Sequence, residues 1–167
     1  QVVLAGKAHA HDENGKHLIE QLYAHARDLA GTITVIYLPE YNIELAQALT
    51  AGADVWLNTP LPPLEASGTS GMKAALNGVP SLSILDGWWM EGCIEGVTGW
   101  AIGDGMEIAD GDGHELYDKL EQVVFPLYYS NDRSNWIKVM KGAISKNASY
   151  FNSHRMMRRY ATEAYIR

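Results

Sequence analysis

Along most of its length the chain alternates short apolar runs with stretches of helical periodicity, and this alternation constrains the fold more than any other feature. Val2–Leu4 reads as a buried strand. Asp12–Leu29 follows with apolar residues at 18, 19, 22, 26 and 29, the spacing of one helix face. Thr32–Leu38 is β-branched and aromatic and stops at Pro39, a strand signature. Ile43–Ala51 reads as a helix ending near Gly52, Val55–Leu57 as a strand and Gly71–Leu76 as the start of a helix. Pro80–Leu85 and Gly99–Ile102 read as further strands. Helices then dominate: Gly113–Val124, Ser134–Ser145 and Ser153–Tyr165, the last with Asn152 or Ser153 as N-cap. Strand and helix at such short intervals make βαβ units, so the expected class is α/β, a doubly wound, Rossmann-like parallel sheet with helices on both faces. The Gly/Asp-rich stretch Gly103–Gly113 has too many turn formers for an element and reads as a solvated loop. It lacks the full ligand ladder of a calcium-binding EF-hand.

Composition adds exclusions. Hydrophobic residues make up 47% and charged residues 20% of 167, a globular balance, and that length suits one domain. No apolar run approaches the ~20 residues that cross a bilayer, and no signal-peptide pattern opens the chain. The net charge of −7 argues against general nucleic-acid binding. A single cysteine, Cys93, excludes an internal disulfide framework and a Cys-rich zinc site and fits a reducing compartment. The charge is also divided: residues 1–132 hold 5 basic and 19 acidic residues, residues 133–167 hold 8 and 1, which implies two faces with different neighbours. The chain opens on Gln1-Val2-Val3-Leu4, inside an apolar run and without a Met, as expected of a piece of something longer.

In an open parallel sheet, ligands sit beyond the carboxyl ends of the strands, at loops that lead into helices. The first such loop, Ala5 to Asp12, has one glycine and not the G-x-G-x-x-G of a dinucleotide fold. His9, His11 and Asp12 are metal-ligand types, but no second cluster completes a site, and His11 and Asp12 read more simply as caps of the next helix. In the second loop, Pro39-Glu40-Tyr41-Asn42, Tyr41 is placed to pack on a flat ligand ring or to serve as a core residue with a satisfied hydroxyl.

The third loop, Asn58 to Lys73, carries the strongest signal. Three prolines stiffen the approach, then Ala66-Ser67-Gly68-Thr69-Ser70-Gly71 brings backbone amides and hydroxyls to the start of a helix. Such a start is a ready anion site, because its unpaired N–H groups and positive dipole end face the ligand. Lys73, four residues after Thr69, leans back over the same turn. In retaining sugar-nucleotide glycosyltransferases two glutamates flank such a helix start at the spacing of Glu65 and Lys73. A lysine in the second position cannot accept a hydrogen bond from ribose, but its amine can form a Schiff base with an aldehyde.

The run from Glu65 through Lys73 to Asn77-Gly78 closely resembles the signature of the α-glucan (glycogen, starch, maltodextrin) phosphorylases. Ala5-Gly6-Lys7-Ala8, Tyr37 to Asn42, Leu85-Asp86-Gly87 and Phe151 to Tyr160 resemble further family segments in order, so the match spans essentially the whole chain. The resemblance implies the C-terminal, Rossmann-like half of a GT-B glycosyltransferase fold over residues 1–167. Residues 151–167 would be a closing helix that packs toward an N-terminal domain absent from this chain. It implies pyridoxal 5′-phosphate as cofactor, carried by Lys73, the residue assigned to catalysis. Thr69 and the Ser70–Gly71 amides would hold the cofactor phosphate, Tyr41 would lie near its ring, and Glu65, Ser67 and Gly68 would contact the hydroxyls of the transferred glucose. The parent would cleave α-1,4-glucans with orthophosphate to give glucose 1-phosphate, in the cytoplasm, with no nucleic-acid, membrane or metal partner and with room for a homo-oligomer.

Two departures mark the sequence. Animal-type members have Gly-Asn where this chain has Ser70-Gly71, and here Gly87 is followed by Trp88-Trp89-Met90-Glu91-Gly92, which resembles the shorter bacterial and archaeal branch. The family's basic segment for substrate phosphate would precede Gln1, so this chain alone is expected to show no turnover. Two other readings stand beside this one: a nucleotide-sugar glycosyltransferase domain of glycogen-synthase type, and a non-catalytic carbohydrate-binding α/β module. Trp88, Trp89 and Trp100 serve either as sugar-stacking rings or as packing. Cys93 serves either as a redox switch or as buried filler.

Overall fold

A computed structural model describes residues 1–104 and 112–166. The chain divides into two compact units, Gln1–Ala48 and Leu49–Arg167.

In the first unit, β1 (Val2–Ala5) and β2 (Val35–Leu38) pair in parallel, Val2 opposite Val35 and Ala5 opposite Leu38. Helix α1 (Glu13–Asp28) connects them. Asp12 is its N-cap, its Oδ1 accepting the Gly15 amide at 2.9 Å. His11 is not a cap; its amide instead donates to Nδ1 of His9 at 3.2 Å. The expected burial of the first strand is not met, since Val2 and Val3 are 42% and 44% exposed. A two-stranded layer has too little sheet to enclose its own side chains. Tyr37 Oη donates to Gly6 O at 2.6 Å and its ring meets Tyr23 edge-on, which fixes the turn after β1. The unit boundary falls inside α2 (Ile43–Gly52), which begins where Asn42 Oδ1 accepts the Leu45 amide.

The second unit holds a three-stranded parallel sheet in the order β3 (Trp56–Asn58), β4 (Ser81–Ile84), β5 (Gly99–Ile102). The central strand β4 is buried throughout, and its pleat sends alternate residues to opposite faces. Leu82 and Ile84 join Trp100, Ile102, Val124, Trp136 and Val139 in one cluster. On the other parity, Leu85 packs against a second cluster of Ala75, Trp88, Trp89 and Ala143. Two apolar faces demand two layers of cover, which is why the winding is double. The first face is covered by α5 (Asp112–Lys119), α6 (Phe125–Tyr128) and α7 (Ser134–Gly142), and the second by α3 (Thr69–Leu76) and the single turn α4 (Trp89–Gly92).

Two helical boundaries differ from the sequence expectation. Between α5 and α6 the helix widens to a π turn, Leu120–Val124, where the Phe125 amide reaches Leu120 O. Pro126 has no amide to donate and its ring would strike the carbonyl one turn back, so widening the preceding turn lets the helix run on to Tyr128 instead of ending at Val124. Similar wide turns, Ala143–Ala148 and Ala161–Tyr165, extend α7 and α8 (Ser153–Tyr160), and Asn152 caps α8 by accepting the Arg155 amide. Of the stretch read as a Gly/Asp-rich loop, residues 105–111 lie outside the described residues. Among the described residues no helix is long and apolar enough to cross a membrane.

Candidate functional site

The carboxyl ends of β3 and β4 face the start of α3, and an open cavity of about 450 Å³ lies there. It is lined by Trp56, Leu57 and Asn58 from β3 and by Glu65 through Gly71. Of the residues singled out in the sequence, Glu65, Ser67, Gly68, Thr69, Ser70 and Gly71 therefore form one continuous wall.

Helix α3 starts without a side-chain cap, from Gly68 at φ +83°, a conformation costly for any residue with a Cβ. The Gly71 amide donates to Gly68 O at 3.1 Å. The amides of Thr69 and Ser70 have no partner among the described residues, so they are the open donors of the turn. Lys73 leans back as its helical position requires, Nζ donating to Thr69 Oγ1 at 3.2 Å. A cation and a hydroxyl thus stand together on the turn that carries two open amides. That donor set suits a phosphate, and a lysine amine beside it suits an aldehyde.

The loop is held from behind by the turn after β4. Asp86 Oδ2 accepts the Glu65 amide at 2.9 Å and Oδ1 accepts the Gly87 amide at 2.8 Å. The Trp88 amide donates to Ser67 O at 2.7 Å. A Cβ at Gly87 would lie 2.7 Å from Ser67 O, so only glycine permits this approach. Glu65 is half-buried, its main chain fixed by Asp86, and it borders the cavity.

The tryptophans are packing. Trp88, Trp89 and Trp100 are 5%, 0% and 2% exposed, which removes the sugar-stacking alternative, since stacking needs an open ring face. The role of the Trp88 ring against Gly68 and Gly71 was hidden in the sequence, although its place directly after Asp86-Gly87 was a signal. Tyr41 belongs to the first unit, half-buried, just before the Asn42 that begins α2. Cys93 is partly buried, and burial, with Glu95 nearby, pushes its thiol up to about 11. That is the opposite of an activated thiolate. Among the described residues no group of three or more His, Cys, Asp or Glu is placed to hold a metal.

An anion-type turn at the strand ends of a parallel, doubly wound sheet defines the Rossmann-like half of a GT-B fold. The solved structure of HepE from Anabaena, in complex with UDP-glucose, superimposes with a TM-score of 0.67 over 96% of this chain and 39% of that one. At 19% identity this is a likeness of fold. The carbohydrate phosphorylase family profile matches residues 1–96, and the chain belongs to that family. It is 45% identical to the glycogen phosphorylase of Aquifex aeolicus over 99% of this chain and 25% of the relative. It is 43% identical to the maltodextrin phosphorylase of Thermococcus litoralis over 98% of this chain and 20% of the relative. The chain thus spans a quarter or less of the length of these relatives.

Proposed function

We propose that this chain is the C-terminal, cofactor- and glucose-binding part of an α-glucan phosphorylase that acts in the cytoplasm. The parent cleaves α-1,4-glucans with orthophosphate and releases glucose 1-phosphate. The observation that carries the reading is Lys73 Nζ over Thr69 Oγ1, at a helix start whose first amides are open and whose loop borders a cavity.

The residues present fit pyridoxal 5′-phosphate. Lys73 would tether it, and Thr69 with the Ser70 amide would take its phosphate, helped by the positive end of α3. Gly71 contributes by having no side chain in the turn. When bound, the cofactor supplies a phosphate group able to pass a proton beside the substrate phosphate. Glu65 accepts hydrogen bonds from sugar hydroxyls, and its main-chain tie to Asp86 keeps that carboxylate in place. Ser67 and Gly68 border the same space with a short hydroxyl and bare backbone, which lets a sugar approach closely. Along α8 and its extension, exposed Met157, Tyr160 and Ile166 accompany Arg155, Arg158 and Arg159. Met157 and Tyr160 fall on one side of α8 and the arginines on the other, and the apolar side is the one expected of a closing helix that packs on an N-terminal domain.

Borohydride reduction of the intact protein in the presence of pyridoxal 5′-phosphate, followed by peptide mapping, tests the assignment. The adduct is expected on Lys73, and a protein that carries no label there overturns it.

A further inference from the structure

The turn that presents the free amides of α3 has no side-chain cap and starts from a left-handed glycine, so something outside the turn must fix it. That something is the indole of Trp88. A Cβ added at Gly68 would lie 2.9 Å from Trp88 Cδ1. One added at Gly71 would lie 2.8 Å from Nε1 and 3.0 Å from Cζ2, and one at Gly92 would lie 2.7 Å from Cζ3. Three glycines thus seat one ring. Its outer faces are closed by Phe151, edge-on at 5.3 Å, and by Trp89 at 5.1 Å. The Trp88 main chain is bonded to the same loop through Ser67 O. A ring that is buried and held on several sides leaves Gly68 and Gly71 no room for a side chain and little room to shift.

We propose that Trp88 is a positioning residue for the anion site. Its indole sets the geometry in which Thr69 and Ser70 offer their amides, and residue 71 is glycine because that ring occupies the space of a side chain. The inference rests on the cofactor reading above and assigns the phosphate-binding part of it to a residue outside the loop.

The experiment uses two probes on the intact protein, pyridoxal 5′-phosphate and pyridoxal, each trapped on Lys73 with borohydride over a range of concentrations. Wild type is expected to label at a half-saturating concentration about tenfold or more lower with the phosphate than without it. Trp88→Leu is expected to lose at least fivefold of that phosphate advantage while pyridoxal itself labels as in wild type. Gly71→Ala is expected to lose it too, and to lose little more when placed on Trp88→Met, whose narrow, flexible side chain puts no ring atom where an alanine would strike. A Trp88→Leu protein that keeps the full phosphate advantage overturns the proposal, and so does one that loses both probes equally. If Trp88→Leu does not fold, the Gly71→Ala and Trp88→Met pair decides: losses that simply multiply overturn it. A wild type labelled at Lys73 by neither probe defeats the cofactor reading itself, a result separate from these.

Discussion

Asp86 Oδ2 accepts the main-chain amide of Glu65 at 2.9 Å, so the turn after β4 and the loop that enters α3 are one mechanical unit. The second carboxylate oxygen takes the Gly87 amide, and both bonds are charge-assisted and partly shielded from water.

Asp86→Ala strands two partly buried donors and is expected to cost about 2–3 kcal/mol, measured by urea unfolding. Asp86→Asn keeps one acceptor and is expected to cost about half as much. Equal stability of the alanine variant and wild type would show that the clamp is idle.

Gly99 sits opposite Ser81 at φ +150°, and a Cβ there would lie 2.0 Å from Ser81 O. The obstacle is main chain of the central strand, which cannot swing aside. Gly99→Ala is therefore expected to cost more than about 4 kcal/mol or to abolish cooperative unfolding. Gly52→Ala, which would meet nothing within 4 Å, serves as the control and should be neutral or gain up to about 1 kcal/mol.

Ser81 Oγ is buried without a hydrogen-bond partner among the described residues, whereas Ser83 Oγ, on the same face of β4, donates to Ile84 O at 2.9 Å. Ser81→Ala is expected to be neutral or stabilising by up to about 1 kcal/mol, because it removes a hydroxyl that lost water and gained nothing. Ser83→Ala is expected to cost about 1 kcal/mol. Thermal denaturation of the two variants side by side gives the contrast, and a reversed order would refute it.

The Cys93 thiol, raised from 9.0 to about 11 by burial and then by Glu95, stays protonated at neutral pH. It is expected to react slowly with a disulfide reagent at pH 7–8. Above pH 9 the unfolded chain gives up this proton while the folded chain keeps it. Stability from this group is therefore present below pH 9 and falls as pH rises toward 11. Cys93→Ala should flatten that part of the stability profile, and an unchanged slope would argue against the shift.

Much of the fold was legible because its signals are local. The period of α1, the cap at Asp12, the strand ending before Pro39 and the Gly/Ser/Thr run before Lys73 each need only neighbours in sequence to act. Two local readings went wrong where the outcome depended on the rest of the chain. Val2 and Val3 form a strand as expected yet stay partly exposed, since burial is a property of the layers around a strand. The helix after Gly113 passes Pro126 by widening one turn, a remedy that covalent sequence rules do not announce.

The sequence by itself determined the α/β alternation, the Gly/Ser/Thr run that leads into α3 and the reach of Lys73 to Thr69, because each is fixed by backbone stereochemistry within a few residues. Only the tertiary structure decided that Asp86 holds Glu65 and that Trp88 is a wedge under Gly68 and Gly71. Those contacts join segments about twenty residues apart. They exist because parallel β3 and β4 deliver their carboxyl ends to the same edge of the sheet, where a buried ring and a carboxylate can close against the loop.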